Sequence, residues 1–251
     1  MLKWSILLVL LSGQLVAHET NVSKIDLAVD KVTLEVSQLE PGVYQHTSYK
    51  HIKGYGKVDS HGLVVVIDKQ AYIIDTPWSD VDTLALLDWI EEQGLKPKLS
   101  LSTHFHDDRT AGIGLLNRKS IPTYTSKLTD TLLRKEHKTR ATNIFESDTF
   151  DLMANQIQVF YPGPGHSEDN IVVWLPKHQL LFGGCFVRSL GWSSLGNIKD
   201  ANVEQWDNSV KKLISRYADV KTVVPGHGKV NDSRMLQHTL ELVTKASESL
   251  K

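Results

Sequence analysis

The sequence predicts a single α/β domain in which two β-sheets pack face to face and helices cover the outer faces. Three observations carry this. Strand-like runs come in clusters followed by helical patterns, and they do so in both halves of the chain. Several runs, such as residues 63–67 and 171–175, are continuously apolar and need cover on both sides. No linker or low-complexity segment divides the 251 residues, a length that one sandwich-like domain can reach. The pattern alone leaves other α/β arrangements open.

Taken in order, residues 18–37 are polar and mixed and read as an arm leading into the first strands. Residues 43–49 alternate with period two, the mark of a strand with one buried face. Lys53-Gly54-Tyr55-Gly56 follows as a hairpin tip, either an ordinary turn with Tyr55 packed down or a mobile flap. Residues 63–67 and 71–74 are buried strands. Ser79, with Asp82 three residues on, is close to a capping box, and Leu84, Leu87 and Ile90 face one side of a helix that stops at Gly94. Residues 98–103 form the next strand, with a helix expected over about 110–117. A short strand at 121–124 precedes an amphipathic helix at 126–136. Strands are expected at 150–152 and 157–161, then at 171–175 and 180–182 on either side of a turn at 176–179. A helix at 203–217, a strand at 222–224 and a helix at 233–249 complete the chain.

The start of the chain has a different character. Lys3, the apolar residues 4–11, then Ser12, Gly13 and Ala17 have the anatomy of a secretory signal peptide over residues 1–17, leaving 18–251 as the domain. The apolar run is too short to span a bilayer as a helix. Gln14 follows Leu11-Ser12-Gly13 where a lipidated cysteine would stand in a bacterial lipoprotein, so the expectation is a free periplasmic protein without a membrane anchor. The net charge of −1, with mixed signs and no basic block, argues against a nucleic-acid partner. With Cys185 as the one cysteine, no intramolecular disulfide can form. A lone thiol in an oxidising compartment calls for burial or a task, and metal ligation is such a task.

The chemistry is concentrated where strands end. His104-Phe105-His106-Asp107-Asp108 follows the alternating run 99–103, placing two imidazoles and a carboxylate at i, i+2 and i+4. Those ligand types suit zinc. His166, Cys185 and His227 occupy equivalent positions, each at a strand end beside glycines, which let the backbone turn sharply and approach a bound group. Each of these alone reads as a turn residue or a small core side chain. Together they make six potential ligands, too many for one tetrahedral zinc but suited to two sites of three, each with an open position for water. The other histidines, including His46 and His61, read as surface or packing residues.

Taken together, these residues resemble the metallo-β-lactamases of subclass B1. The resemblance spans essentially the whole mature chain. It is strongest to the imipenemase-type carbapenemases, through Ile73-Ile74-Asp75-Thr76-Pro77-Trp78, Phe160-Tyr161-Pro162-Gly163-Pro164-Gly165-His166 and Leu181-Phe182-Gly183-Gly184-Cys185-Phe186-Val187. It implies an αββα sandwich. It also implies zinc-dependent hydrolysis of penicillins, cephalosporins and carbapenems by a metal-bound hydroxide, and hence antibiotic resistance. By the same resemblance, two Zn2+ ions bind per chain, one on His104, His106 and His166, the other on Asp108, Cys185 and His227. Asp108 and Asn197 would act at the reacting bond, Asn197 at the carbonyl oxygen. Arg188, where many relatives have lysine, would bind the substrate carboxylate together with Asn197, offering a bidentate fork in place of a point charge. Tyr55 would cover substrate from the flap where relatives often carry tryptophan. Asp75 and Arg109 would steady the ligand loops from behind. The partners expected are small β-lactams, with the protein a monomer.

Other hydrolases share this fold, chiefly glyoxalase-II-like thioesterases and phosphodiesterases. Those typically show His-x-His-x-Asp-His with a bridging aspartate, whereas here Arg109 follows Asp108 and the late ligand is Cys185. A subclass B2 enzyme would lack His104 and a B3 enzyme the cysteine. A zinc buffer or sensor without turnover is the non-enzymatic alternative, against which Arg188 and Asn197 beside the metal set speak.

Overall fold

The computed structural model describes residues 31–249. The expected signal peptide over 1–17, and most of the arm after it, lie outside the described residues. Among the described residues, twelve strands form two sheets. The larger has strands in chain order: β1 (Glu35–Glu40), β2 (Val43–Ile52), β3 (Gly56–Ile67), β4 (Gln70–Ile74), β5 (Lys96–Leu101), β6 (Thr123–Ser126) and β7 (Asn143–Phe145). β1 to β4 pair antiparallel and β4 to β7 parallel. The smaller sheet runs β12 (Thr222–Pro225), β11 (Leu180–Gly184), β10 (Val172–Leu175), β9 (Ile157–Phe160) and β8 (Thr149–Met153), with only β11 and β12 parallel.

The sandwich follows from side-chain alternation. On β3, Leu63 and Val65 face the smaller sheet, where they join Ile74, Leu101, Val159, Val173, Leu175 and Phe182 in one buried layer. Val64 points the other way and packs with Ile73 beneath Leu86, Leu87 and Ile90 of α1 (Asp80–Glu92). The far face of the smaller sheet, with Val172, Trp174, Leu181 and Val223, is covered by Trp206, Val210 and Leu213 of α5 (Val203–Arg216) and by Met235 and Val243 of α6 (Arg234–Ser249). Both sheets are therefore apolar on both faces, as the continuous runs require.

Local signals act as read, with five departures. Ser79 caps α1 by accepting from the Asp82 N–H at 3.0 Å, but the Asp82 carboxylate takes the Ser79 hydroxyl and the Thr33 N–H. The helix expected over about 110–117 is instead two short ones, α2 (Asp107–Thr110) and α3 (Ile113–Arg118). Gly112 lies between them, so close to α1 that a Cβ there would sit 2.4 Å from Thr83 Oγ1. The arm read over 18–37 already enters strand β1 at Glu35, and the short edge strand β7 carries too little apolar pattern to be legible. Tyr55 at the hairpin tip is 57% exposed, not packed down. The helix α4 (Lys127–Lys135) runs as expected from its Ser126 cap.

Candidate metal centre

Parallel strands place their carboxyl ends at one edge, and the ligand-type residues gather there. β4 and β5 are hydrogen-bonded neighbours, and so are β11 and β12. Asp75, just past β4, fixes the start of the first ligand loop. Its carboxylate accepts from the Thr103 N–H at 2.7 Å and the Thr103 hydroxyl at 2.9 Å. It does so from a left-handed backbone at φ +60°, a conformation that persists where surrounding bonds over-determine it. His106 then opens α2, its carbonyl accepting from the Arg109 and Thr110 N–H groups.

Three imidazoles converge beyond that loop. His104 Nε2 stands 3.0 Å from His106 Nδ1, which is 3.2 Å from His166 Nε2. All three offer one nitrogen within 4.8 Å of one another. Ligand atoms on a tetrahedral zinc, with bonds of 2.0–2.1 Å, stand about 3.3 Å apart, so the spacing fits that ion. Burial holds His104 and His166 well below the usual imidazole range, leaving both neutral and able to donate a lone pair. His106 places its other nitrogen, Nε2, 3.0 Å from the Asp200 carboxylate.

The second group abuts the first. His104, Asp108 and Cys185 offer ligand atoms within 4.8 Å of one another. His227 Nε2 lies 3.2 Å from Cys185 Sγ and 3.3 Å from Asp108 Oδ2. Behind them Arg109 is completely buried. Its guanidinium reaches Asp108 Oδ2 at 2.8 Å, Cys185 Sγ at 3.1 Å, the Gly226 carbonyl at 3.1 Å, Asp75 Oδ2 at 3.3 Å and the His61 carbonyl. One cation thus ties together the loops after β4, β5, β11 and β12. Burial alone would raise the Asp108 acid, but Arg109 outweighs it and holds the carboxyl well below its usual range. Burial pulls His227 down, while Cys185 and Asp108 outweigh that and push it up to about 10.

The predicted residues meet at one cavity of about 360 Å³, lined by Tyr55, His106, Asp108, His166, Arg188, Asn197 and His227. Cys185 and His104 are buried against the lining residues His227 and His106. Arg188 is 5% exposed, its guanidinium 4.4 Å from the Trp192 ring centre, and its buried Nε has no hydrogen-bond partner among the described residues. Asn197 turns its own loop, Oδ1 accepting from the Lys199 N–H at 3.1 Å. Trp78, Trp192, Lys199 and Asp200 also line the cavity, and sequence reasoning missed them. Asp200 lies 94 residues from the imidazole that it meets, and no spacing announces such a contact. A wider groove of about 840 Å³ along α5, beside Phe160, Lys212 and Arg216, includes none of the six ligand-type residues.

With this geometry in hand, comparison with known proteins is specific. The profile of the metallo-β-lactamase superfamily matches residues 56–227. A metallo-β-lactamase type 2 of Pseudomonas aeruginosa is 46% identical over 218 residues, 87% of each chain. The solved structure of DIM-1 metallo-β-lactamase exposed to ceftazidime superposes with a TM-score of 0.85 at 45% identity, covering 86% of this chain and 100% of that one. That of TMB-1 gives 0.84 at 48% identity, covering 85% and 98%. Fold, donor set and sequence agree: the chain belongs to the metallo-β-lactamase family.

Proposed function

We infer that the protein is a subclass B1 β-lactamase that hydrolyses the lactam amide of penicillins, cephalosporins and carbapenems and so confers antibiotic resistance. The observation that carries the reading is the pair of abutting donor groups, three imidazoles beside a carboxylate, a thiol and an imidazole, opening into one cavity. His104, His106 and His166 would hold one zinc ion, and Asp108, Cys185 and His227 a second. Zinc in such a setting supplies a Lewis acid for the carbonyl and lowers the pKa of water toward about 7.

The chain's own residues supply the rest. Arg109 keeps Asp108 ionised, the form in which the carboxylate can ligate a metal ion and accept hydrogen bonds. Arg188 presents a guanidinium that the protein leaves short of partners, placed to take the carboxylate common to these substrates. Asn197 stands on the same wall, where its amide can donate to the carbonyl oxygen. Tyr55 projects from the hairpin between β2 and β3 and can close over bound substrate to exclude water. Among the described residues no helix is long and apolar enough to cross a membrane, and with the signal-like first 17 residues we place the enzyme in the periplasm, as a monomer.

Purified protein is expected to hydrolyse a penicillin, a cephalosporin and a carbapenem, with turnover abolished by a chelator and restored by zinc. Thioester hydrolysis with no lactam turnover, or lactam turnover that survives complete metal removal, would sink the reading.

A further inference from the structure

Strand β3 runs behind the second donor group, and one of its residues grips that group twice. The main-chain carbonyl of Asp59 accepts a short hydrogen bond from His227 Nδ1. Its carboxylate accepts from the Gly228 N–H at 2.8 Å and lies 3.0 Å from His61 Nε2. His61 is itself buried, and its Nε2 is also 2.9 Å from the Gly228 carbonyl. The proton on His61 is placed by its other nitrogen. Nδ1 stands 3.0 Å from Gln45 Nε2, which can only donate, and 2.9 Å from the Thr47 hydroxyl. His61 Nε2 therefore carries hydrogen and donates to Asp59 and to Gly228.

The consequence falls on His227. With Nδ1–H committed to the Asp59 carbonyl, the neutral ring that can ligate a metal has its lone pair on Nε2, the atom facing Cys185 Sγ and Asp108 Oδ2. The backbone after His227 is equally constrained. Gly228 has φ +81°, and a Cβ there would sit 2.9 Å from Ser189 Cβ and Trp192 Nε1. Gly226 is held by its own N–H on the Gly184 carbonyl and by the His61 N–H and Arg109 on its carbonyl, while at Gly228 the N–H is held by the Asp59 carboxylate.

We propose that Asp59 is a positioning residue for the second metal ion, its carboxylate clamping the Gly226–Gly228 turn so that His227 Nε2 completes the Asp108–Cys185 pair. The proposal rests on the reading that Asp108, Cys185 and His227 hold that ion. Groups that orient a ligating histidine typically govern 10–100-fold in metal affinity. Because the carbonyl survives substitution, the side chain alone is tested.

The two zinc affinities of Asp59→Ala are measured by competition with a chromophoric chelator, alongside the spectrum of the cobalt(II)-loaded protein. The expected result is a second ion weakened about 10–100-fold, an altered thiolate-to-cobalt band, and an unchanged first affinity. Asp59→Asn, which keeps an acceptor for the Gly228 N–H, should recover most of the loss. Should Asp59→Ala fail to fold, His61→Gln loosens the same carboxylate and should again weaken only the second ion. Equal losses at both ions would mark a merely structural role and overturn the proposal. So would unchanged affinities in a protein whose second ion is abolished by Cys185→Ser. If Cys185→Ser itself leaves both ions bound as in the wild type, the ligand assignment falls and the proposal with it.

Discussion

The two donor groups solve the same problem by opposite means. In the three-imidazole group burial keeps His104 and His166 unprotonated, and the most accessible ring, His106, leans on a carboxylate at the cavity rim. The Asp108–Cys185–His227 group is built from charge, and it holds together because the buried Arg109 sits behind it touching Asp108, Cys185 and Asp75 at once. A neutral group can be emptied of its ion at little electrostatic cost. A charged one needs a permanent counter-ion in the protein. The contrast predicts that damage to the second group reaches the fold, while damage to the first stays local.

Removing the counter-ion is the strongest way to break that contrast. Arg109→Met leaves two buried carboxylates without their cation and should destabilise the metal-free protein by about 3–5 kcal/mol, read from denaturant unfolding. A loss below about 1 kcal/mol would mean that Arg109 is dispensable to the fold.

Next in size is a pH effect beneath both groups. His46 is buried, its Nε2 donating to the Asp75 carbonyl, and burial lowers it to about 3 from its ordinary 6.5. Below pH 6.5 the unfolded chain takes up a proton that the folded one refuses, so stability is full above that pH and falls toward pH 3. Between pH 7.5 and 5 the loss from this residue is about 2 kcal/mol. His46→Gln should flatten the stability curve over that window by the same amount relative to wild type, and parallel curves would refute this.

A smaller, local change is expected at the rim. Asp200→Ala removes the acceptor from His106 Nε2 and should weaken the first ion about tenfold, the lower end for such contacts because the pair is partly exposed. The second ion and the metal-free melting temperature should stay put. Loss of the second ion instead would erase the distinction between the groups. The smallest effect belongs to Tyr55→Ala, which should raise KM about two- to fivefold with kcat nearly unchanged, the outcome expected of a ring that lines the cavity and covers substrate without entering the donor groups. A kcat effect larger than the KM effect would place Tyr55 in the chemistry.

Much of this was legible because it is written locally. Apolar runs such as residues 63–67 mark strands buried on both faces, and His104-x-His106-x-Asp108 falls just past one of them, where a strand must become a loop. His166, Cys185 and His227 repeat that placement. What escaped is what depends on distant approach. The break between α2 and α3 falls at Gly112, where a Cβ would crowd Thr83 of α1, and Asp200 and Asp59 reach their imidazoles across 94 and 168 residues. A short edge strand such as β7 leaves almost no pattern. Resemblance could name the candidate ligands, but only packing shows what holds them.

The placement of the donors has one more implication. His104, His106 and Asp108 follow β5 of the larger sheet, whereas His166, Cys185 and His227 follow β9, β11 and β12 of the smaller. Each group therefore draws on both sheets, so an ion in either would act as a rivet through the lip of the sandwich. Metal supply then becomes a determinant of lifetime as well as of turnover. An ion at a hundred times its dissociation constant adds about 2.7 kcal/mol against unfolding. A cell that starves this protein of zinc would expose it to proteolysis at the same moment that it silences it.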